Sequence, residues 1–408
     1  MRNVILGLIL LASATAVASS QGEIDITIRP DLTPAVRIAV PVFVADSGDA
    51  KAASLAETFN TVLWDDLDYS GPVLLASRSF YPKTVLRSPG DIKPEEWTRP
   101  GLEAKYIVFG TIRMNGGEFS VNAQLHDVRS TARVFGNRYV SRNATDRTVR
   151  RIAHRFADEI LENLGYGRGV AQTEIAFVCD RAGNGVKEIC VMDYDGQNSE
   201  PITAIGNLAL TPSWSPDSKK IAYLSYRDGT NIEIVNRADL RRLQFPHLGG
   251  MNTTPSWSKD GSHIAFASSS RDPKSGTRIV VADADGKNVR ELTRSTRSDV
   301  SPVWNPATGR EIIFSSDRPP SAEGVSQLYA MDAEGTNVRL LGKAGGASYS
   351  PSWSPDGLLV AFSWQQSGPG NRRDIWVLNL RTGQTGRLTG GDGDNDRPSW
   401  APDGRHIV

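Results

Sequence analysis

Cysteine and histidine are scarce. Two cysteines, Cys179 and Cys190, and five histidines in 408 residues supply neither a disulfide framework nor a zinc cluster of the CxxC type. Net charge is lacking too, because 46 Lys plus Arg balance 46 Asp plus Glu. With no global basic field to hold a phosphate backbone or an anionic membrane, nucleic acid is not an expected partner. The chain also has no G-x-S-x-G elbow, no P-loop and no G-x-G-x-x-G after a strand, so the usual nucleophile and phosphate cradles are missing. The histidines read as isolated. His263 and His406 share a repeat position held elsewhere by Lys220, Glu311 and Leu359, His126 points away from the apolar face of its strand, and His154 lies off the apolar stripe of its helix. Only His247 falls in a loop free to meet a partner. No catalytic residue, metal ligand or cofactor is expected.

One apolar run stands out. Arg2 precedes Val4 to Leu11, and the small residues Ala16-Val17-Ala18 follow. The run is too short to span a bilayer and ends in the A-x-A form that signal peptidase accepts, so residues 1–20 read as a secretory signal, with no cysteine at the cleavage site to carry a lipid.

What is abundant is turn-forming residues, with 38 glycines and 23 prolines, and they fall in a repeat. Trp214, Trp257, Trp304, Trp353 and Trp400 each follow a proline by two residues, at spacings of 43, 47, 49 and 47. After each comes a turn such as Ser354-Pro355-Asp356-Gly357, then an apolar strand such as Ile264-Ala265-Phe266, a third strand such as Arg278 to Val281, and a fourth. Four short strands per unit of about 45 residues is a propeller blade. A four-stranded sheet cannot bury both faces alone, so blades stack, with tryptophan supplying bulk between them. The acidic turns Asp193-Tyr194-Asp195-Gly196, Asp283-Ala284-Asp285-Gly286 and Asp332-Ala333-Glu334-Gly335 read as plain turns, since calcium needs about six oxygens.

Residues before the first blade strand at Ile175 have a different rhythm. Arg37 to Phe43 predicts a strand, and Leu55, Phe59, Val62, Leu63 and Leu67 an amphipathic helix. Strands follow at Pro72–Ser77, Lys105–Met114, Phe119–Val128 and Arg133–Ser141, with Phe119, Val121, Ala123 and Leu125 on one face. A last helix carries the stripe Val149, Ile152, Ala153, Phe156, Ala157, Ile160, Leu161 and Leu164, closed by Gly165. Arg147, Arg150, Arg151 and Arg155 read as its solvated face. The expected organisation is thus a signal at 1–20, an arm at 21–35, an α/β domain at 36–165 and a β-propeller of five repeats plus a stub at 166–408, joined by a hinge at 165–174.

The cysteines fall on adjacent strands of one hairpin. With the turn at 181–186, Cys179 faces Glu188 and Cys190 faces Phe177, which sets the cysteines diagonally, with Cβ atoms ~7 Å apart where a bridge wants about 4 Å. A slightly longer turn would bring them opposite each other. A bridge and two buried or half-buried thiols both remain open.

An export signal, an α/β domain opened by Arg37-Ile38-Ala39-Val40-Pro41-Val42-Phe43, and Pro-Ser-Trp-Ser-Pro-Asp-Gly repeats each followed by Ile-Ala-Phe together resemble the TolB family of periplasmic propeller proteins of the Tol-Pal system. The resemblance runs the whole chain. It implies no catalysis. It implies binding to the Pal lipoprotein through the propeller, hence a peripheral link to the outer membrane, and to the TolA C-terminal domain through the mature N-terminal arm, in support of outer-membrane integrity, protein import and cell division. Within Phe245 to Asn252, the residues His247, Met251 and Asn252 match the family's Pal-contacting loop. In the arm Glu23 to Arg29, Ile24, Ile26 and Ile28 alternate with polar residues and suit strand addition to a partner sheet. The repeat also occurs in peptidase and lyase propellers, so the competing expectation is the regulatory or substrate-binding propeller of an exported hydrolase or lyase; a Ser-His-Asp domain on either flank would mark it.

TolB-like rings give their first B, C and D strands an A strand from the C-terminus, closing six blades. Here the tryptophan strands number five and Ile407 opens a sixth copy. The expectation is a ring short of about 40 residues, one repeat length.

Overall fold

The computed structural model describes residues 35–46, 50–115, 117–181, 183, 185–243, 245–246, 250–269, 276–294, 296–319, 325–342, 346–366, 372–390 and 393–408. The first domain is a mixed sheet of β1 (Val36–Ala39), β2 (Val44–Ala45), β3 (Val73–Leu75), β4 (Tyr106–Asn115), β5 (Glu118–Asp127) and β6 (Arg133–Ser141). The order is β3-β1-β4-β5-β6, with β2 extending the β1 position along β4. The helices α1 (Ala50–Tyr69), α2 (Pro94–Trp97) and α3 (Asp146–Asn163) complete it. Phe119, Val121, Ala123 and Leu125 face one core with Phe59, Leu63, Phe156 and Ile160, all buried. This is the face the alternation assigns to the helices.

The opposite face of the sheet is also covered. Leu86, Ile92, Trp97 and Leu102, from the segment between β3 and β4, pack on Ile107, Phe109 and Val128. His126 does point away from the Phe119–Leu125 face, and the second layer means that it is not left in solvent. The ring is buried, stands 5.2 Å from Phe109 and is held between the Thr131 carbonyl at 2.9 Å and Gln124 Oε1 at 3.0 Å.

α3 starts on Thr145, whose hydroxyl accepts the Thr148 N–H, and ends where Gly165 takes φ +84°, a backbone conformation that favours glycine. The following residues are fastened rather than free. Buried Asp158 accepts the N–H groups of Ala171 at 3.0 Å and Gln172 at 3.1 Å, and a Cβ on Gly169 would lie 2.1 Å from the same carboxylate. The segment read as a hinge is therefore bound to the face of α3.

Five antiparallel sheets follow. The first has three strands, β7 (Glu174–Cys179), β8 (Glu188–Asp193) and β9 (Glu200–Pro201). The second holds β10 (Ala209–Trp214), β11 (Lys220–Ser225), β12 (Asn231–Asn236) and β13 (Arg242–Leu243); the third, β14 (Asn252–Trp257), β15 (His263–Ser269), β16 (Thr277–Asp283) and β17 (Arg290–Glu291). The fourth holds β18 (Asp299–Trp304), β19 (Glu311–Ser316), β20 (Gln327–Asp332) and β21 (Arg339–Leu340); the fifth, β22 (Ala347–Trp353), β23 (Leu359–Gln365), β24 (Arg373–Asn379) and β25 (Thr385–Arg387). A bridge between Trp400 and Ile407 closes one further hairpin. Each tryptophan fills the gap to the preceding sheet: Trp257 packs on Ile232 and Ile234, Trp353 on Ile313 and Leu328, Trp400 on Ile375 and Val377. Burying ~200 Å² of indole at ~25 cal/mol per Å² contributes at most about 5 kcal/mol per contact. Trp257 and Trp353 also donate Nε1 to the Ser213 and Val303 carbonyls of the preceding sheet, each at 3.1 Å.

The proline of each of the first four repeats sits in a bulge. Register shifts at Leu210/Ser213, Thr253/Ser256, Val300/Val303 and Tyr349/Ser352 coincide with positive φ at Thr211, Thr254, Ser301 and Ser350. A bulge leaves a residue out of the ladder, which suits a residue with no N–H.

In the first propeller hairpin Cys179 pairs with Glu188 and Cys190 with Phe177, the register read from the sequence. The cysteines are nevertheless bridged, with Cα atoms 5.9 Å apart. The right-handed twist of a hairpin brings one set of diagonal neighbours together, and 5.9 Å lies within the range a disulfide spans.

Candidate functional site: the domain junction and the loop face

In an antiparallel four-stranded blade, the first-to-second and third-to-fourth turns share one end of the sheet, and the remaining connections share the other. The first domain sits against the turn end. Arg150 on α3 donates to Asp195 in the turn after β8, and Tyr194 in the same turn donates its phenol to Asp66 on α1. Asp66 also bonds His154 Nδ1 at 2.8 Å. Burial pushes the Asp66 carboxyl up against the lowering pull of His154, and burial beside Asp66 pushes the Tyr194 phenol well above its usual range.

A second contact comes from the last hairpin. The His406 ring stacks on Tyr69 with centroids 4.5 Å apart, its Nδ1 lies 2.7 Å from Asp403 and its Nε2 2.9 Å from the Tyr69 carbonyl. Arg405 donates to the Tyr166 carbonyl at 3.0 Å. Burial works against charge on the His406 ring, but the Asp403 carboxylate and the Tyr69 carbonyl outweigh it and raise the pKa. Asp403 is lowered: its bonds from His406 and the Arg405 backbone overcome its burial.

These contacts correct three readings. His154 is not off the packed face of α3, because its ring is only 2% exposed; it lies at the edge of the stripe, three residues before Ala157. His406 is not a variable surface position but a junction residue. Arg150 is not solvated: its side chain is 15% exposed and pairs across the junction, while Arg147, Arg151 and Arg155 remain more open. The histidines are not all isolated either, since His154, Asp193 and Asp195 each bring one ligand atom within 4.8 Å of the others. Asp66 escaped notice although a signal was present. It falls four residues after Val62 and three after Leu63, a carboxylate on the buried stripe of α1, and buried charge needs a partner.

At the loop end, Met251 is 41% exposed; its N–H bonds Ser269 Oγ at 2.9 Å and its carbonyl accepts the Ser269 N–H at 2.9 Å. Asn252 is fully buried at the start of β14 and donates Nδ2 to Asn231 Oδ1 at 3.3 Å. Phe245 is buried too, 6.0 Å from Phe266, so Pro246 and Met251 are the exposed apolar residues of this segment among its described residues. His247, Ile24, Ile26 and Ile28 lie outside the described residues.

The profile of the TolB amino-terminal domain matches residues 24–134, and that of the TolB beta propeller domain matches residues 161–408. The chain is 32% identical over 324 residues to the Tol-Pal system protein TolB of Bordetella parapertussis, covering 79% of this chain and 68% of that one. It is 28% identical over 294 residues to a TolB homolog of Chlorobium chlorochromatii, covering 72% and 64% respectively. The crystal structure of TolB from Acinetobacter baumannii superposes with a TM-score of 0.75 at 24% identity, over 92% of this chain and 87% of that one, a likeness of fold. By both domain profiles and by this identity, the chain belongs to the TolB family.

Proposed function

We propose that this chain is a non-enzymatic periplasmic component of a Tol-Pal system. The observation that carries the reading is the 32% identity, over 79% of the chain, to proteins of that system. In this reading residues 1–20 direct export and are removed. The loop end of the propeller, opposite the docked first domain, meets the Pal lipoprotein. Recognition concentrates on loops held by a rigid scaffold: Met251 and His247 supply the contact, and buried Asn252 anchors the strand behind them. The arm at 23–29 adds a strand to the TolA C-terminal domain, with Ile24, Ile26 and Ile28 on one face. Bridging these partners supports outer-membrane integrity and constriction at division.

Capture from envelope extract tests the assignment. Immobilised wild-type chain should retain the peptidoglycan-associated lipoprotein, and replacing His247 and Met251 together by glutamate should cut retention about tenfold or more with an unchanged melting temperature. Deleting residues 21–29 should abolish TolA binding and leave Pal capture intact. Failure of the wild-type chain to capture the lipoprotein would overturn the reading as a whole; capture by the double variant would overturn the loop assignment.

A further inference from the structure

We infer that His154, Asp193 and Asp195 form a binding site for one first-row divalent cation, of the zinc class, which bridges the first domain and the propeller. The geometry begins at Asp66. One of its oxygens accepts the Tyr194 phenol and the other lies 2.8 Å from His154 Nδ1, so the carboxylate is an acceptor on both sides and Nδ1 carries the proton. The other nitrogen, Nε2, is then a bare lone pair. It is buried, without a hydrogen-bond partner, and lies 3.8 Å from Asp195 Oδ2, too far for a hydrogen bond. That oxygen also accepts from Arg150, which an incoming cation would displace toward the other Asp195 oxygen. A carboxylate that fixes the tautomer of a histidine whose free nitrogen faces further carboxylates is the arrangement of a metal-ligating imidazole. One ligand atom from each of His154, Asp193 and Asp195 lies within 4.8 Å of the others, a spread that side-chain rotation must contract to about 3.4 Å around a tetrahedral ion with ligands at ~2.1 Å.

Charge agrees. Three carboxyl groups, Asp66, Asp193 and Asp195, face one guanidinium, that of Arg150 on Asp195, an excess of acidic over basic side chains that a dication would offset. Asn198 Nδ2 holds Asp193 Oδ2 at 2.6 Å and the Gln197 N–H holds Asp195 Oδ1 at 3.1 Å. The mixed nitrogen and oxygen set favours zinc-class ions over calcium or magnesium. Water completes the shell, since the Asp195 side chain is 23% exposed.

The test uses the tag-free full chain, stripped with EDTA and titrated with Zn²⁺ against a chromophoric chelator. One equivalent should bind saturably, and His154→Gln and Asp193→Asn should each weaken it at least tenfold, within the ~10–100-fold range for ligand-shell changes. Asp332→Asn, in the corresponding turn after β20, should bind as wild type. Should His154→Gln fail to fold, the partly exposed Asp193 carries the test alone. No saturable zinc binding, or wild-type affinity in either junction variant, would overturn the proposal; a His154 ring that titrates as a cation bridging Asp66 and Asp195, with zinc without effect, would do the same.

Discussion

Thr254 has an unfavourable environment twice over. Its φ is +51°, a region costing a β-branched residue about 1–3 kcal/mol, and its hydroxyl is buried without a hydrogen-bond partner. Ser301 and Ser350 share the backbone conformation at φ +54° and +49°, so the bulge belongs to the repeat and not to one blade. Thr254→Gly should therefore raise stability by about 0.5–1 kcal/mol, strain relief exceeding the added freedom of the unfolded chain. Thr254→Ala removes the hydroxyl but keeps the Cβ, and should gain less. Denaturant midpoints of the three proteins check the order; a glycine variant less stable than the alanine one would show that the position is not strained. None of this was legible beforehand, since threonine before proline reads as extended chain and carries no mark of a positive φ.

At the scale of elements, what could be read from the sequence follows from periodicity. β6 falls on the residues its pattern predicts, Arg133–Ser141, and α3 buries the stripe that its spacing marks. The second layer over the sheet was hidden because Leu86, Ile92, Trp97 and Leu102 have neither a period of 2 nor of 3.6, so nothing announced that the far side of β5 would be covered and His126 buried. The cysteine hairpin was half legible. Pairing register can be counted from a turn, but the twist that brings diagonal residues to 5.9 Å is a property of the strands in three dimensions. The bridge closes a short loop, 11 residues apart in sequence, and on the loop-entropy scale should contribute about 2–3 kcal/mol. Replacing both cysteines by serine should lower the unfolding midpoint accordingly, and a reducing agent should move wild type to the same value. A wild-type midpoint indifferent to reduction would refute the contribution.

For the whole molecule, two domains recognised separately by their patterns are joined by contacts that no pattern within either one marks: Asp66 with Tyr194, Arg150 with Asp195, Tyr69 with His406. Side chains that read as surface on one domain become buried when the other covers them, which is why the junction was invisible and the blades were not. The His406 contact makes docking depend on pH. Both partners of the ring, the Asp403 carboxylate and the Tyr69 carbonyl, are acceptors and call for an N–H on each nitrogen, while the nearby Arg405 cation opposes the charge. The folded pKa of His406 is raised above its ordinary 6.5. Its stabilising contribution is accordingly complete below about pH 6.5 and is lost as pH rises through the folded value. His406→Gln, which keeps a donor but not the charge, should melt below wild type at pH 5.5, and the gap should shrink steadily toward pH 9. Asp403→Asn should remove most of the same pH dependence. Thermal melts of the three proteins across this range decide the matter: a gap that stays constant, or widens as pH rises, would mean that the ring docks neutral and that the carboxylate beside it does not hold a proton on the imidazole.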